Sequence, residues 1–198
     1  MDVANGWSQK PQADLQRASK LAQEALGLDA SNLLALSLVS QLNSVQQRFD
    51  LAIKDAERII DTNPNFSWGY FWLALALNGA GRSEDAISAA QKAIHLDPAL
   101  KDNYGSQIGR AYLNLGRYRE AAPFFERFLR INRTDWFARL FLSIAYTELG
   151  RDHEARAEAA EVMRLNPHYI LPAPEKWPLK DSMLARRQYA DLRKAGLK

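Results

Sequence analysis

Five alanines, Ala18, Ala52, Ala86, Ala121 and Ala155, stand 34, 34, 35 and 34 residues apart. A fixed period of that length fits one helix pair per interval and a linear stack of such pairs. A second register runs through Ala30, Pro64, Pro98, Arg133 and Pro167 at the same spacings, and a third through Gln47, Gly81, Gly116 and Gly150. Registers that agree in this way specify stacked helix pairs with one continuous groove, a form suited to recognising other proteins rather than to catalysis.

Each interval reads as helix, turn, helix, stop. From Ser67 to Asn78, Tyr70, Leu73, Ala74 and Leu77 fall at i, i+3, i+4 and i+7, the stripe of a helix with one buried side. Gly79-Ala80-Gly81 breaks that helix, Ser83 is expected to cap the next with Glu84 and Asp85 in its first turn, and Asp97-Pro98 closes the unit near Leu96. The layout recurs from Asp102 to Arg133 and from Trp136 to Pro167, and more loosely from Leu33 to Pro64. First helices place a large apolar residue (Val39, Leu73, Ile108, Leu142) before a small one (Ser40, Ala74, Gly109, Ser143), while second helices hold the opening alanines. Small residues at these slots let helix axes approach closely.

Large apolar, small, Tyr112 or Tyr146, then Gly, Ala and Pro at these offsets resembles the tetratricopeptide repeat over about residues 33 to 167. The resemblance implies an all-α, right-handed superhelical solenoid of antiparallel helix pairs. Four repeats are expected, at 33–66, 67–101, 102–135 and 136–169, preceded by a partial repeat over 1–30. Three positions depart from the pattern: Asn43 where a bulky apolar or aromatic residue is usual, Gln47-Arg48 in place of the glycine turn, and Arg133 in place of the closing proline.

The ends carry further expectations. Ala13 to Leu28 reads as a second helix whose first helix is missing, and such a half-repeat suggests a fragment of a longer protein. After Pro167, Pro172, Pro174 and Pro178 favour an extended path over 170–180, and a last helix is expected within 181–198, capped by Asp181 and stopped by Gly196. Leu184, Tyr189 and Leu192 give that helix a side with which to cap the final repeat. Trp177-Pro178-Leu179-Lys180-Asp181 with Tyr189 to Leu197, and Asn5-Gly6-Trp7-Ser8 with Pro11, resemble the flanks of tetratricopeptide regions that lie C-terminal to bacterial class III adenylate/guanylate cyclase domains. That likeness implies a regulatory or interaction arm of a cytoplasmic signalling protein. No cyclase catalytic sequence is present in the 198 residues.

Chemistry is excluded on several grounds. There is no cysteine, so thiolate and disulfide chemistry are out. His95, His153 and His168 lie far apart without a metal-ligand spacing, and no phosphate loop, nucleophile elbow or dinucleotide fingerprint occurs, so no cofactor is expected. Glu154, Glu158 and Glu161 interleave with Arg151, Arg156 and Arg164 as a solvated ion-pair surface does. A net charge of +3 is too small and too dispersed for a nucleic-acid footprint. Residues 180–198 hold six basic and two acidic side chains, which a capping role accommodates without a membrane. The apolar run from Leu33 to Val39 is far short of a membrane span, and Met1-Asp2-Val3 does not open a signal peptide.

By the family resemblance, first helices line the concave face. The partner-binding groove is then expected to contain Trp68, Phe71, Trp72 and Leu75, next Asn103, Gln107, Arg110 and Asn114, next Phe137, Leu140, Phe141 and Ile144. Aromatic and Arg side chains are enriched among binding hot spots. Chaperone-binding members of the family clamp a terminal carboxylate with Lys, Arg and Asn. The corresponding slots here are Ser37, Phe71, Ser106 and Leu140 with Arg110 as the nearby cation, which argues for an apolar helix or extended hydrophobic segment as ligand. Two further possibilities follow: self-association through the unfinished N-terminal half-repeat, and occupation of the groove by the chain's own Tyr169 to Trp177 stretch.

Overall fold

The computed structural model describes the backbone of residues 11–198 and side chains from residue 13. Expectations that rest on Met1 to Trp7 lie outside the described residues. Among the described residues ten α-helices follow one another: α1 (Pro11–Leu28), α2 (Leu33–Val45), α3 (Phe49–Thr62), α4 (Ser67–Ala80), α5 (Ser83–Leu96), α6 (Lys101–Asn114), α7 (Tyr118–Ile131), α8 (Trp136–Glu148), α9 (Asp152–Leu165) and α10 (Ser182–Lys194). Among the described residues there is no strand. From α1 to α9 each helix packs on its chain neighbours, and the first helices α2, α4, α6 and α8 also lie side by side. This is the stacked-pair solenoid that the period predicts.

Two of the sequence registers meet inside each pair. Ser40 Oγ donates to the Ala52 carbonyl at 3.0 Å and Ser143 Oγ to the Ala155 carbonyl at 3.0 Å. A methyl group added at Gly109 would stand 3.4 Å from the Ala121 carbonyl and 2.8 Å from Phe124 Cβ. The small slot therefore sits directly on the opening turn of the second helix, and Ala52, Ala86 and Ala121 are fully buried there. Ala121→Leu should overpack this crossing and lower stability by about 1 to 3 kcal/mol, read as a drop in melting temperature. An unchanged melt would mean that Ala121 does not face α6.

The turns explain the third register and its exception. Gly81, Gly116 and Gly150 take φ of +83°, +73° and +72°, the left-handed region that glycine enters without steric cost. Gln47 adopts the same conformation at φ +59° with a full side chain. That side chain is used: Nε2 donates to the carbonyls of Glu175 at 3.3 Å and Trp177 at 3.1 Å. Asn43 likewise exchanges the usual bulky contact for a 2.7 Å hydrogen bond to Asp55 Oδ2. The Ser83 expectation needs correction, since Arg82 occupies the cap position of α5 and Ser83 is its first residue, buried and contacted by Asn114 at 3.4 Å. Asp181 does cap α10, accepting from the amides of Met183 and Leu184 at 2.9 and 3.0 Å.

The C-terminal residues cover the last repeat and go further. α10 packs against α8, and residues 177–180 cross the concave face toward the start of the array. The Lys180 amide donates to the Gly79 carbonyl at 2.8 Å, and Lys180 Nζ reaches Asp50 at 3.6 Å. The larger core cluster accordingly joins α6 to α9 with Leu171, Trp177, Leu179, Leu192 and Leu197.

Candidate peptide-binding groove

The strut formed by residues 177–180 divides the groove into a filled end and an open end. At the filled end, Trp177 stacks parallel on Phe137, with ring centroids 6.4 Å apart and 10° between planes, and meets Phe141 edge-on at 6.4 Å. Its Nε1 donates to Gln188 Oε1 at 2.7 Å, and Gln188 Nε2 donates to Asn114 Oδ1 at 3.2 Å. Asn114 is thereby committed inside the protein, its amide also donating to the Asn78 carbonyl at 3.2 Å. Leu140 and Ile144, expected on the groove surface, are fully buried in the core cluster that contains Trp177 and Leu192. Both expectations are corrected: Leu140 and Ile144 belong to the core of the last repeats, where α10 packs against α8.

At the open end a cavity of about 330 Å³ gathers the other nine expected residues, Trp68, Phe71, Trp72, Leu75, Asn103, Gln107, Arg110, Phe137 and Phe141. One wall is an aromatic cluster on α4. Trp68 meets Phe71 edge-on at 5.0 Å and Trp72 at 6.1 Å, and Tyr104 of α6 backs it from 5.5 Å while sharing a 2.8 Å hydrogen bond with Ser67. The opposite wall is on α8, where Phe137 lies 5.2 Å from both Trp136 and Phe141. Between them α6 supplies a polar strip, with Gln107 steadied by Asn78, whose Nδ2 donates to the Gln107 carbonyl at 2.9 Å. Phe141, 6% exposed and 5.7 Å from Phe125, belongs as much to the core as to the cavity.

The sequence expectation, drawn from the first helices α4, α6 and α8 alone, left out some lining residues. Trp136 enters from the first position of α8, Phe128 from the second helix α7, and Gln41 from α2. The tryptophan beside the expected Phe137 was a usable signal. Phe128 had none, since its α7 stripe reads equally well as core.

A carboxyl pair sits under α10. Burial, and then the negative charge of Glu148, push Asp191 up to about 7, while Arg187, hydrogen-bonded at 2.6 and 2.8 Å, holds Glu148 below its ordinary value. Lys194 and Tyr118 complete this charged surround, with Lys194 also 3.1 Å from Asp152. Folding thus raises the proton affinity of Asp191 above that of an unfolded aspartate near 3.9. The stabilisation is complete below that value and is lost as pH rises through about 7. The wild-type melting temperature should fall between pH 5 and pH 8 more steeply than that of Asp191→Asn, measured by thermal melts across that range. Parallel curves would mean that Asp191 titrates normally.

A tetratricopeptide repeat profile matches residues 40–100 and 107–170, and the chain belongs to the tetratricopeptide repeat family, whose helix-pair arrays are protein-interaction modules. Superkiller protein 3 of Schizosaccharomyces pombe is 27% identical over 158 residues, covering 76% of this chain and 11% of that protein. BBSome complex member BBS4 of Mus musculus is 23% identical over 112 residues, 57% of this chain and 21% of that protein. The chain therefore spans only a minor part of these curated relatives. Among solved structures, a thermophilic tetratricopeptide protein of Thermus thermophilus has a TM-score of 0.68 at 23% identity, covering 90% of this chain and 91% of its own. YrrB, a tetratricopeptide protein with an unusual peptide-binding site, has a TM-score of 0.53 at 16% identity over 89% of this chain and 91% of its own. No helix among the described residues is long and apolar enough to cross a membrane.

Proposed function

We propose that this chain is a non-catalytic protein-interaction module that takes an apolar peptide segment, extended or helical, into the aromatic cavity between α4 and α8. The observation that carries this reading is the half-buried cluster of Trp68, Phe71 and Trp72, left facing the cavity after the C-terminal strut has covered the other end of the groove. Solvent-facing aromatic surface of this kind marks binding sites, and large rings seated in a pocket dominate binding energy. The likeness to a peptide-binding tetratricopeptide protein supports the same reading.

The test uses peptides selected by display on the whole chain. Trp72→Ala should weaken the selected peptides by roughly 30-fold, about 2 kcal/mol, with an unaltered melt. Equal affinity for both proteins would remove the cavity from consideration. Trp72 is the proper probe because it is half-buried, whereas Phe141→Ala would also disturb the core.

The finer setting we propose is the regulatory arm of a cytoplasmic bacterial cyclase-type protein, supported by the flank likeness around Trp177-Pro178-Leu179-Lys180-Asp181. Reading the coding sequence upstream of Met1 tests it, and the lack of an in-frame cyclase domain would refute it. Self-association is the second reading, favoured by Leu28 and Leu34, 92% and 77% exposed at the N-terminal end of the array. Sedimentation at rising concentration decides, since a strictly monomeric chain rules it out.

A further inference from the structure

Among the described residues, Arg110 is the most buried of five arginines whose guanidinium lies over an aromatic ring, and it differs from the other four in one respect. Arg117 pairs with Glu120, Arg127 with Asp102, Arg151 with Glu154 and Arg187 with Glu148. Arg110 is 6% exposed, 5.3 Å from the Phe141 ring centroid, and has no carboxylate partner among the described residues. Its single hydrogen bond runs from one terminal nitrogen to the Pro178 carbonyl at 2.8 Å, and its Nε has no partner. The fold does supply a counter-ion where it buries a guanidinium between helices: Arg139 is held by Glu158 at 2.6 Å.

A buried cation without an anion is costly, because the ring face and one carbonyl replace only part of its lost hydration. The penalty is visible in its pKa, which burial brings down to about 10, still leaving a full positive charge at neutral pH. Asp135, on the same cavity, does not neutralise it. That carboxylate accepts from the Ala138 amide at 2.8 Å as the cap of α8 and makes no ion pair with Arg110. A guanidinium presents a planar fork of donors that matches a carboxylate, and in a water-poor site such a pair is strong.

We infer that the cavity selects an acidic side chain carried inside a peptide between apolar neighbours, and that Arg110 is the residue that reads it. This rests on the proposed role of the cavity as a peptide site. The acidic group is internal because Arg110 lies between two aromatic walls, Trp68 with Trp72 on α4 and Trp136 with Phe137 on α8. A chain that fills both walls must continue on each side of the anion, which a terminal carboxylate does not allow.

The experiment screens a bead library of random peptides, acetylated and amidated so that side chains hold the only carboxylates, against the whole wild-type chain. Enriched peptides should carry Asp or Glu between apolar residues, and replacing that residue by Asn or Gln should weaken binding by roughly 10-fold or more. Arg110→Met should bind the acidic and amide forms equally, with a melting temperature no lower than wild type, since it removes an unpaired buried charge. Should that variant melt early, Arg110→Lys gives the same information, because loss of the planar fork should shrink the acid-to-amide ratio by about threefold or more. Peptides that depend on Trp72 yet show no acidic preference, or whose preference is unchanged in the Arg110 variants, overturn this inference while leaving the cavity as the binding site. If no enriched peptide depends on Trp72, the binding-site reading fails and takes this one with it.

Discussion

Trp177→Ala should lower the unfolding free energy by about 3 to 5 kcal/mol, a large share of the roughly 5 to 15 kcal/mol available to a domain. The ring is 1% exposed, sandwiched against Phe137 and Phe141, and belongs to the cluster that joins α8 to α10. Truncation removes those contacts and leaves the buried Gln188 amide without its 2.7 Å partner, a further cost. Urea denaturation measures the difference. A loss below about 1 kcal/mol would show that Trp177 lies on the surface and that the strut is loosely attached.

Ending the chain after His168 should unravel the fourth repeat while the second keeps its structure. The deleted residues include Leu171, Trp177, Leu179, Leu192 and Leu197, all buried, and they share one core cluster with Leu140 and Ile144 of α8. In a quasi-linear array each repeat draws its stability from its neighbours, so damage at one end decays along the stack. Hydrogen exchange read helix by helix should show α8 and α9 losing most of their protection, α6 losing less, and α4 with α5 changing least. Identical exchange in the two chains would refute any occupation of the groove by the C-terminal residues.

Much of this was legible from spacing because helix pairs are local. The 34-residue period sets which helices touch, and Ala121 opposite Gly109 or Ala155 opposite Ser143 follows from counting. Nine of the expected residues line one cavity for the same reason, since a residue's face on a first helix is fixed by its position in the repeat. What could not be counted was long-range. Gln47 looked like a defective turn, and its use appears only when the Trp177 carbonyl, 130 residues later, arrives beside it. Leu140 and Ile144 carry the same register signal as Phe71 and Leu75, and nothing in their own repeat announces that α10 will lie over them. The three prolines before Asp181 predicted an extended path, which a 3-10 turn at Pro174–Lys176 interrupts, without saying where it leads.

That arrangement has a bearing on how the protein is made. Helix pairs can consolidate one after another as the polypeptide leaves the ribosome, because each needs little beyond its predecessor. The link from Gln47 to Trp177 cannot form until the chain has been translated 130 residues beyond Gln47. Until then the aromatic faces of α4 and α8 stand open along their full length, so the nascent array passes through a stage more adhesive than the finished one, and its closing segment from Trp177 onward is what ends it.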